Sequence, residues 1–409
     1  MNILIGPFSQ ILPMTGIPLK GTLQDEELTV IEKGGIVVND GRIVAVAPYK
    51  ELLQQYPDCE VHFIDQPMVL LPGFIDCHTH ICYDGNRSRD YAMRIAGKSY
   101  LEIARAGGGI WDSVTKTRVA DTVTLVENTV ARANRHLQEG VTTIEVKSGY
   151  GLNMESELKM LRAIQQAGLH TAATLIPTCL AAHMKPRDYT GTEDEYLQWA
   201  LDELLPVLKQ ESLASRVDIF IEETAFSAAA STTYLQKAMQ QGFAATVHAD
   251  QFSAGGAEVA VNTGALSADH LEASTQKEID LLARSSTVAV VLPGASLGLG
   301  MQYAPARKLL NAGACVAIAS DWNPGSAPMG DLLIQAAVMS AAEKLSTAEV
   351  LAALTLRAAP ALQLQDAGQL ITGFVADLQA YPTADYRDIL YYQGKMKPAM
   401  VWKKGEKVK

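Results

Sequence analysis

A chain of 409 residues, 48% hydrophobic and 19% charged, is long enough for one large barrel domain with an appendage or for two ordinary domains. Its formal net charge of -11 excludes a basic face for collecting phosphates, so no nucleic-acid partner is expected; no apolar stretch reaches the ~20 residues of a membrane span, so no membrane is expected either. The start MNILIGPFSQILPM lacks the pattern of a secretion signal, and five cysteines without CxxC spacing read as reduced thiols, which together predict a cytoplasmic location.

Residues 1–65 hold short β-branched runs, among them GGIVVNDGRIVAVAP, where Asn39, Asp40 and Gly41 occupy the place of a hairpin turn. From residue 67 the texture changes, with the apolar run MVLLPGFID, and strands then alternate with helices as far as about residue 365. The strand candidates are VTTIEVKSG, TAATLIPT, RVDIFIEE, FAATVHAD, ALSADHLE, STVAVVLP and CVAIASDWN. Between them MESELKMLRAIQQAG, AASTTYLQKAMQQGF, STQKEIDLLARS and APARKLLNAGA space their apolar residues at three and four, as one face of a helix requires. Such alternation predicts an α/β protein with a parallel sheet, and at this length a (β/α)8 TIM-like barrel over residues 66–365. After residue 366 short strands return in GQLITGFVADLQAYP and PAMVWKKGEKV, so residues 1–65 and 366–409 are expected to form one small discontinuous β-sandwich domain.

In a (β/α)8 barrel the C-terminal ends of the strands build the active site, so a polar residue ending an apolar run is aimed at a common centre. PGFIDCHTH ends a run with His78 and His80, whose two-residue spacing puts both imidazoles on one face of an extended chain. An HxH pair alone is a weak signal. ATVHAD adds His248 and VAIASDWN adds Asp321, each ending a later strand, and three imidazoles with one carboxylate suit a divalent ion such as Zn²⁺ or Fe²⁺ with a position left for water. His136, in ARANRHLQEG, is expected on a solvated helix face, and His62 and His170 have no such company.

PGFIDCHTH, GKSYLEIARAGGGI, EVKSGYGL with ELKMLR, HADQF, LSADHLE, LPGASLGLG and ASDWNPGS together resemble the amidohydrolase superfamily and, within it, the imidazolonepropionase family of histidine degradation, over nearly the whole chain. The resemblance implies the same metal ligands, His78, His80, His248 and Asp321, holding one Zn or Fe ion. It also implies substrate contacts by Arg87, Tyr150, His183, Gln251, Asn323, Gly325 and Ser326, with the NPGS turn offering backbone N–H groups to an anion. His270, Asp321 and Gln251 are implied as catalytic, with Gln251 at a position that is Glu in some members. A glutamine cannot take a proton, so the base would be Asp321, alone or with His270, or the metal-activated water acts with little help. Lys147 could be imagined as a carbamylated bridge between two metals, but the resemblance assigns it to the substrate-side wall. Asp84, Arg89, Met329 and Lys395 depart from the family's usual pattern around the acid-binding pocket. The implied reaction is hydrolysis of the cyclic amide of 4-imidazolone-5-propanoate to N-formimidoyl-L-glutamate, with a homodimer as the common assembly of relatives. Two other readings stay open: an amidohydrolase or aminohydrolase acting on another ring, and a barrel that has kept the scaffold without the chemistry.

Overall fold

The computed structural model describes residues 1–98 and 100–409; Ser99, inside the GKSYLEIARAGGGI stretch, lies outside the described residues. The chain opens with β1 (Ile3–Ile11), β2 (Ile31–Asn39), β3 (Arg42–Pro48), β4 (Glu60–Phe63) and β5 (Val69–Pro72). The β2–β3 hairpin turns where the sequence placed it, with Asp40 and Gly41 at φ of 47° and 74°, the left-handed pair that a two-residue turn needs.

The run MVLLPGFID does not continue as one strand. It divides at Gly73, where a Cβ would collide with the Thr142 side chain, and the chain passes there from one sheet to the other. Beyond it come β6 (Phe74–Asp76), β7 (Val141–Lys147), β8 (Thr174–Ala182), β9 (Arg216–Phe220), β10 (Ala244–Ala249), β11 (Ser267–His270), β12 (Val288–Val291) and β13 (Val316–Ile318). These pair in parallel, each with the next in sequence. Helices cover the outer face: Met154–Ala167, for example, starts at Asn153, whose side chain caps the Ser156 N–H, and buries Leu158, Leu161 and Ile164. The sheet is sealed beyond its last strand residues: His80 N–H donates to Trp322 O (2.9 Å) and Asp321 N–H to His78 O (3.0 Å), joining the end of β6 to the end of β13.

The chain finishes with β14 (Leu378–Tyr381), β15 (Met400–Lys403) and β16 (Glu406–Lys407). They join the opening strands in the order β16–β15–β14–β5–β1–β2–β3, with β4 beside β1, so both ends of the chain build a second sheet. Ile5, Phe8, Ile36, Leu70, Leu378 and Trp402 form its apolar core, with Phe8 edge-on to Trp402. Among the described residues no helix is long and apolar enough to cross a membrane.

His136 corrects the expectation of a solvated residue. It is fully buried on the helix Thr122–Gln138, with Nε2 3.1 Å from Asp76 Oδ2 and its ring edge-on to Trp322. Its face of that helix is the one packed on the barrel seam, so the imidazole closes the back of the site without entering it.

Candidate metal centre and active site

Four side chains converge where the barrel is sealed. His78 and His80 follow β6, His248 lies on β10 and Asp321 follows β13, all buried. His80 Nε2 lies 3.3 Å from His78 Nε2 and 3.2 Å from His248 Nε2, while Asp321 Oδ1 stands 3.5 Å from His78 Nε2 and 3.4 Å from His80 Nε2. Behind the rings, His78 Nδ1 donates to Asp269 Oδ2 (2.6 Å) and His248 Nδ1 faces Asp218 Oδ2 (2.9 Å). With the proton on the Nδ1 that faces each acid, these two rings turn Nε2 lone pairs towards one another; burial raises Asp269 itself to about 7. Burial, and then the neighbouring Lys147 and imidazoles, hold His78 well below the ordinary histidine range; burial and the neighbouring imidazoles do the same for His80. Burial brings His248 down to about 3 in spite of Asp218. Neutral imidazoles with lone pairs facing inward beside a carboxylate are a donor set that a divalent cation satisfies, and the three histidines lie close enough together to hold a metal ion.

Beneath them is a charged layer that sequence reasoning did not assemble. Lys147 Nζ sits 2.8 Å from Glu145 Oε1, 2.8 Å from Asp218 Oδ2 and 3.9 Å from Asp269 Oδ2, every one of these side chains fully buried. Burial alone would lower the Lys147 ammonium, but Asp218, Glu145 and Asp269 outweigh it and hold it above its ordinary value. Lys147 is therefore neither a carbamylated bridge nor part of a substrate-side wall; it lies under the histidines, bound by carboxylates. The only signal in the sequence was that Asp218 and Asp269 are acids inside short strands, which does not by itself bring them together.

The remaining site residues ring the mouth. His270, at the end of β11, has its ring 5.3 Å from that of His248. Burial would lower it, but Glu272, Asp321 and Asp269 raise it above the ordinary histidine value. Burial also lifts the Asp321 carboxyl to about 6. His270 and Asp321 hold φ of 90° and 48°, left-handed conformations that ordinary side chains avoid and that concentrate at functional sites. Gln251 is buried beside His248 in sequence, and Glu222 fixes the turn after it by accepting the N–H groups of Phe252 (2.8 Å) and Ser253 (3.1 Å).

Tyr150 and His183 close one side, with rings 5.9 Å and 5.5 Å from His80. His183 Nδ1 donates to Gly149 O (2.9 Å), leaving Nε2 as an acceptor, and burial lowers this ring to about 4. Burial keeps the Tyr150 phenol protonated far above neutral pH. The loop carrying Tyr150 is held by Glu157, which sequence reasoning did not single out: its Oε1 accepts from Gly149 (3.2 Å), Gly151 (2.8 Å) and Leu152 (2.8 Å). On the other side Arg87 donates through Nε to Asp90 (2.9 Å) and lays its guanidinium on Gly325, where a Cβ would collide with it.

The NPGS turn differs from expectation. The N–H groups of Gly325 (2.7 Å) and Ser326 (2.8 Å) both donate to Asn323 Oδ1, because an asparagine side chain two and three residues upstream closes the turn on itself. Those groups are thus not offered to an anion. Asn323 Nδ2 in turn donates to Asp321 O (2.7 Å) and Ser326 Oγ (2.9 Å), and Ser326 Oγ lies 3.4 Å from Asp321 Oδ2.

The sealed parallel barrel carries histidines and an aspartate at its strand ends, and residues 69–408 match the Amidohydrolase family: the chain belongs to this family of hydrolases. Residues 34–58 match the Imidazolonepropionase-like composite domain of bacteria. The imidazolonepropionase of Bdellovibrio bacteriovorus is 39% identical, covering 100% of this chain and 97% of its own length. That of Symbiobacterium thermophilum is 39% identical over 99% and 96%, and that of Paracoccus denitrificans 41% over 89% and 92%, which places the chain within the imidazolonepropionase family. Solved structures share the fold at low identity: a triazine hydrolase variant (TM-score 0.75, 16% identity, covering 100% of this chain and 94% of that one) and a zinc-bound adenosine deaminase from Xanthomonas campestris (0.72, 19%, 99% and 92%).

Proposed function

We infer that the protein hydrolyses the cyclic amide of 4-imidazolone-5-propanoate to N-formimidoyl-L-glutamate. The full-length likeness to imidazolonepropionases supports this reading, and the observation that carries it is the meeting of the Nε2 atoms of His78, His80 and His248 with Asp321 beside Arg87, Tyr150 and His183. The ligand set proposed is His78, His80, His248 and Asp321, for one ion of Zn or Fe. Bound there, a divalent cation would make water more acidic and polarise the ring carbonyl.

Asp321, its carboxyl lifted by burial, takes the proton of the attacking water and passes it to the ring nitrogen as the C–N bond breaks. His270, protonated with the help of Glu272, donates to the carbonyl oxygen as charge develops there. Gln251 holds a ring N–H or the water by hydrogen bonding and moves no proton. The Arg87 fork and the Tyr150 hydroxyl are donors suited to the propionate, whereas the His183 Nε2 acceptor suits a ring N–H. Asn323, Gly325 and Ser326 serve the substrate by aiming Asp321 and seating Arg87.

A barrel domain over residues 66–365 with a β domain from 1–65 and 366–409, homodimeric assembly and a cytoplasmic location belong to the same proposal; the last is supported by five unpaired cysteines. The test is turnover of freshly generated 4-imidazolone-5-propanoate, followed by loss of its ultraviolet absorbance. Loss that chelation stops and added metal restores is the expected result. A metal-loaded protein that leaves this ring untouched would overturn the reading and favour a different cyclic amide or an aminated ring, whose turnover would survive Arg87→Ala.

A further inference from the structure

The layer under the histidines contains a side chain that hydrolysis does not use. In a (β/α)8 barrel, inward side chains from alternate strands share a layer, and here β7, β9 and β11 supply Lys147, Asp218 and Asp269. The carboxylate oxygens that meet Lys147 are the same ones that meet the histidines. Asp218 Oδ2 lies 2.8 Å from Lys147 Nζ and 2.9 Å from His248 Nδ1; Asp269 Oδ2 lies 3.9 Å from Lys147 Nζ and 2.6 Å from His78 Nδ1. Resting on the metal-site reading above, we propose that Lys147 is the common anchor of both carboxylate–histidine couples, a positioning residue that fixes the His78 and His248 rings for cation capture.

The chemistry favours one shared cation over two separate supports. An ammonium has three donors on a single point charge, enough for Glu145 and Asp218 with Asp269 close by, and all four side chains are fully buried. Two buried aspartates without it would repel each other, and each would turn from its histidine or take up a proton. Glu145 touches Lys147 but no histidine, so charge balance and ring positioning can be separated by experiment.

The experiment titrates chelator-stripped protein with Co²⁺, reading the visible spectrum and the affinity against a competing chelator, with melting of the metal-free protein as a check on folding. Lys147→Met alone takes the ammonium from three buried carboxylates and leaves only Arg216, near Glu145, to offset them, so it is paired with Glu145→Gln. If Lys147 positions the rings, the double variant melts cooperatively but binds Co²⁺ about 10- to 100-fold more weakly and with an altered spectrum, while Glu145→Gln alone stays close to wild type. A second set keeps Lys147: Asp218→Asn, Asp269→Asn and both together. A shared anchor makes their losses non-additive, because freeing the ammonium at one couple already loosens the other. Wild-type affinity and spectrum in the Lys147→Met/Glu145→Gln protein, or losses that simply multiply in the aspartate set, overturn the proposal while leaving the metal site intact. Wild-type protein that takes up no Co²⁺ removes the metal-site reading, and this inference with it.

Discussion

The two sides of the site are built differently. On the proposed metal side the support of His78 and His248 is ionic: Asp218, Asp269 and Lys147 lie in one fully buried layer supplied by three barrel strands. On the proposed substrate side the support is local, whether the residue directly follows a strand, as His183 does, or lies further out on a loop: Asp90 for Arg87, Glu157 for the Tyr150 loop, the Gly149 carbonyl for His183. A loop braced by its own neighbours can change without disturbing the barrel, whereas a layer shared by three strands cannot. On the function proposed above, reaction chemistry is tied to the fold more closely than substrate choice is.

Substitutions on the metal side should produce the largest losses. His248→Ala removes a ligand from the triad and leaves Asp218 facing a void, so metal content measured by elemental analysis and turnover should both collapse. Asp321→Asn keeps the shape but not the proton acceptor, and kcat should fall by about 10²- to 10⁴-fold with a smaller loss of metal. A fall confined to KM would contradict the division between the two sides. Arg87→Ala, a loop change, should raise KM by about 10- to 100-fold, the worth of a charge-assisted hydrogen bond, with metal content unchanged.

Acidity sharpens the same contrast. Burial raises the Asp321 carboxyl to about 6 in the metal-free protein, so cation uptake should displace that proton. Affinity should be level above pH 6 and drop by about tenfold per unit below it, and Asp321→Asn should flatten that drop in a titration at pH 5, 6 and 7.5. Because the folded value lies above the unfolded one, ionised Asp321 destabilises the metal-free fold above pH 6, and the penalty lessens as pH falls towards 4. His248, at about 3, stays neutral throughout that window. The smallest effect belongs to Glu157→Ala, which strands the N–H groups of Gly151 and Leu152. It should lower stability by about 1–3 kcal/mol in urea unfolding and raise KM while leaving metal affinity alone.

Much of the metal side was legible because apolar periodicity marks strands and a polar residue ending each strand marks the barrel mouth; His78, His80, His248 and Asp321 meet that description in the sequence. The layer below was not assembled from sequence, since Asp218 and Asp269 acquire meaning only once β7, β9 and β11 bring them to one depth. His136 misled for a related reason: a histidine on an amphipathic helix can face either way, and only the packing against Trp322 decides. Gly73 hid a change of sheet inside an unbroken apolar run, because both sheets bury their strands there. The NPGS turn was seen, but the asparagine that occupies its N–H groups is a matter of side-chain conformation that spacing does not specify.

The bonds that seal the barrel run from Asp321 N–H to His78 O and from His80 N–H to Trp322 O. Three of the four proposed ligands, His78, His80 and Asp321, therefore share the seam's own stretch of backbone, and closing the cylinder is the same event that carries the Asp321 carboxylate to the histidines.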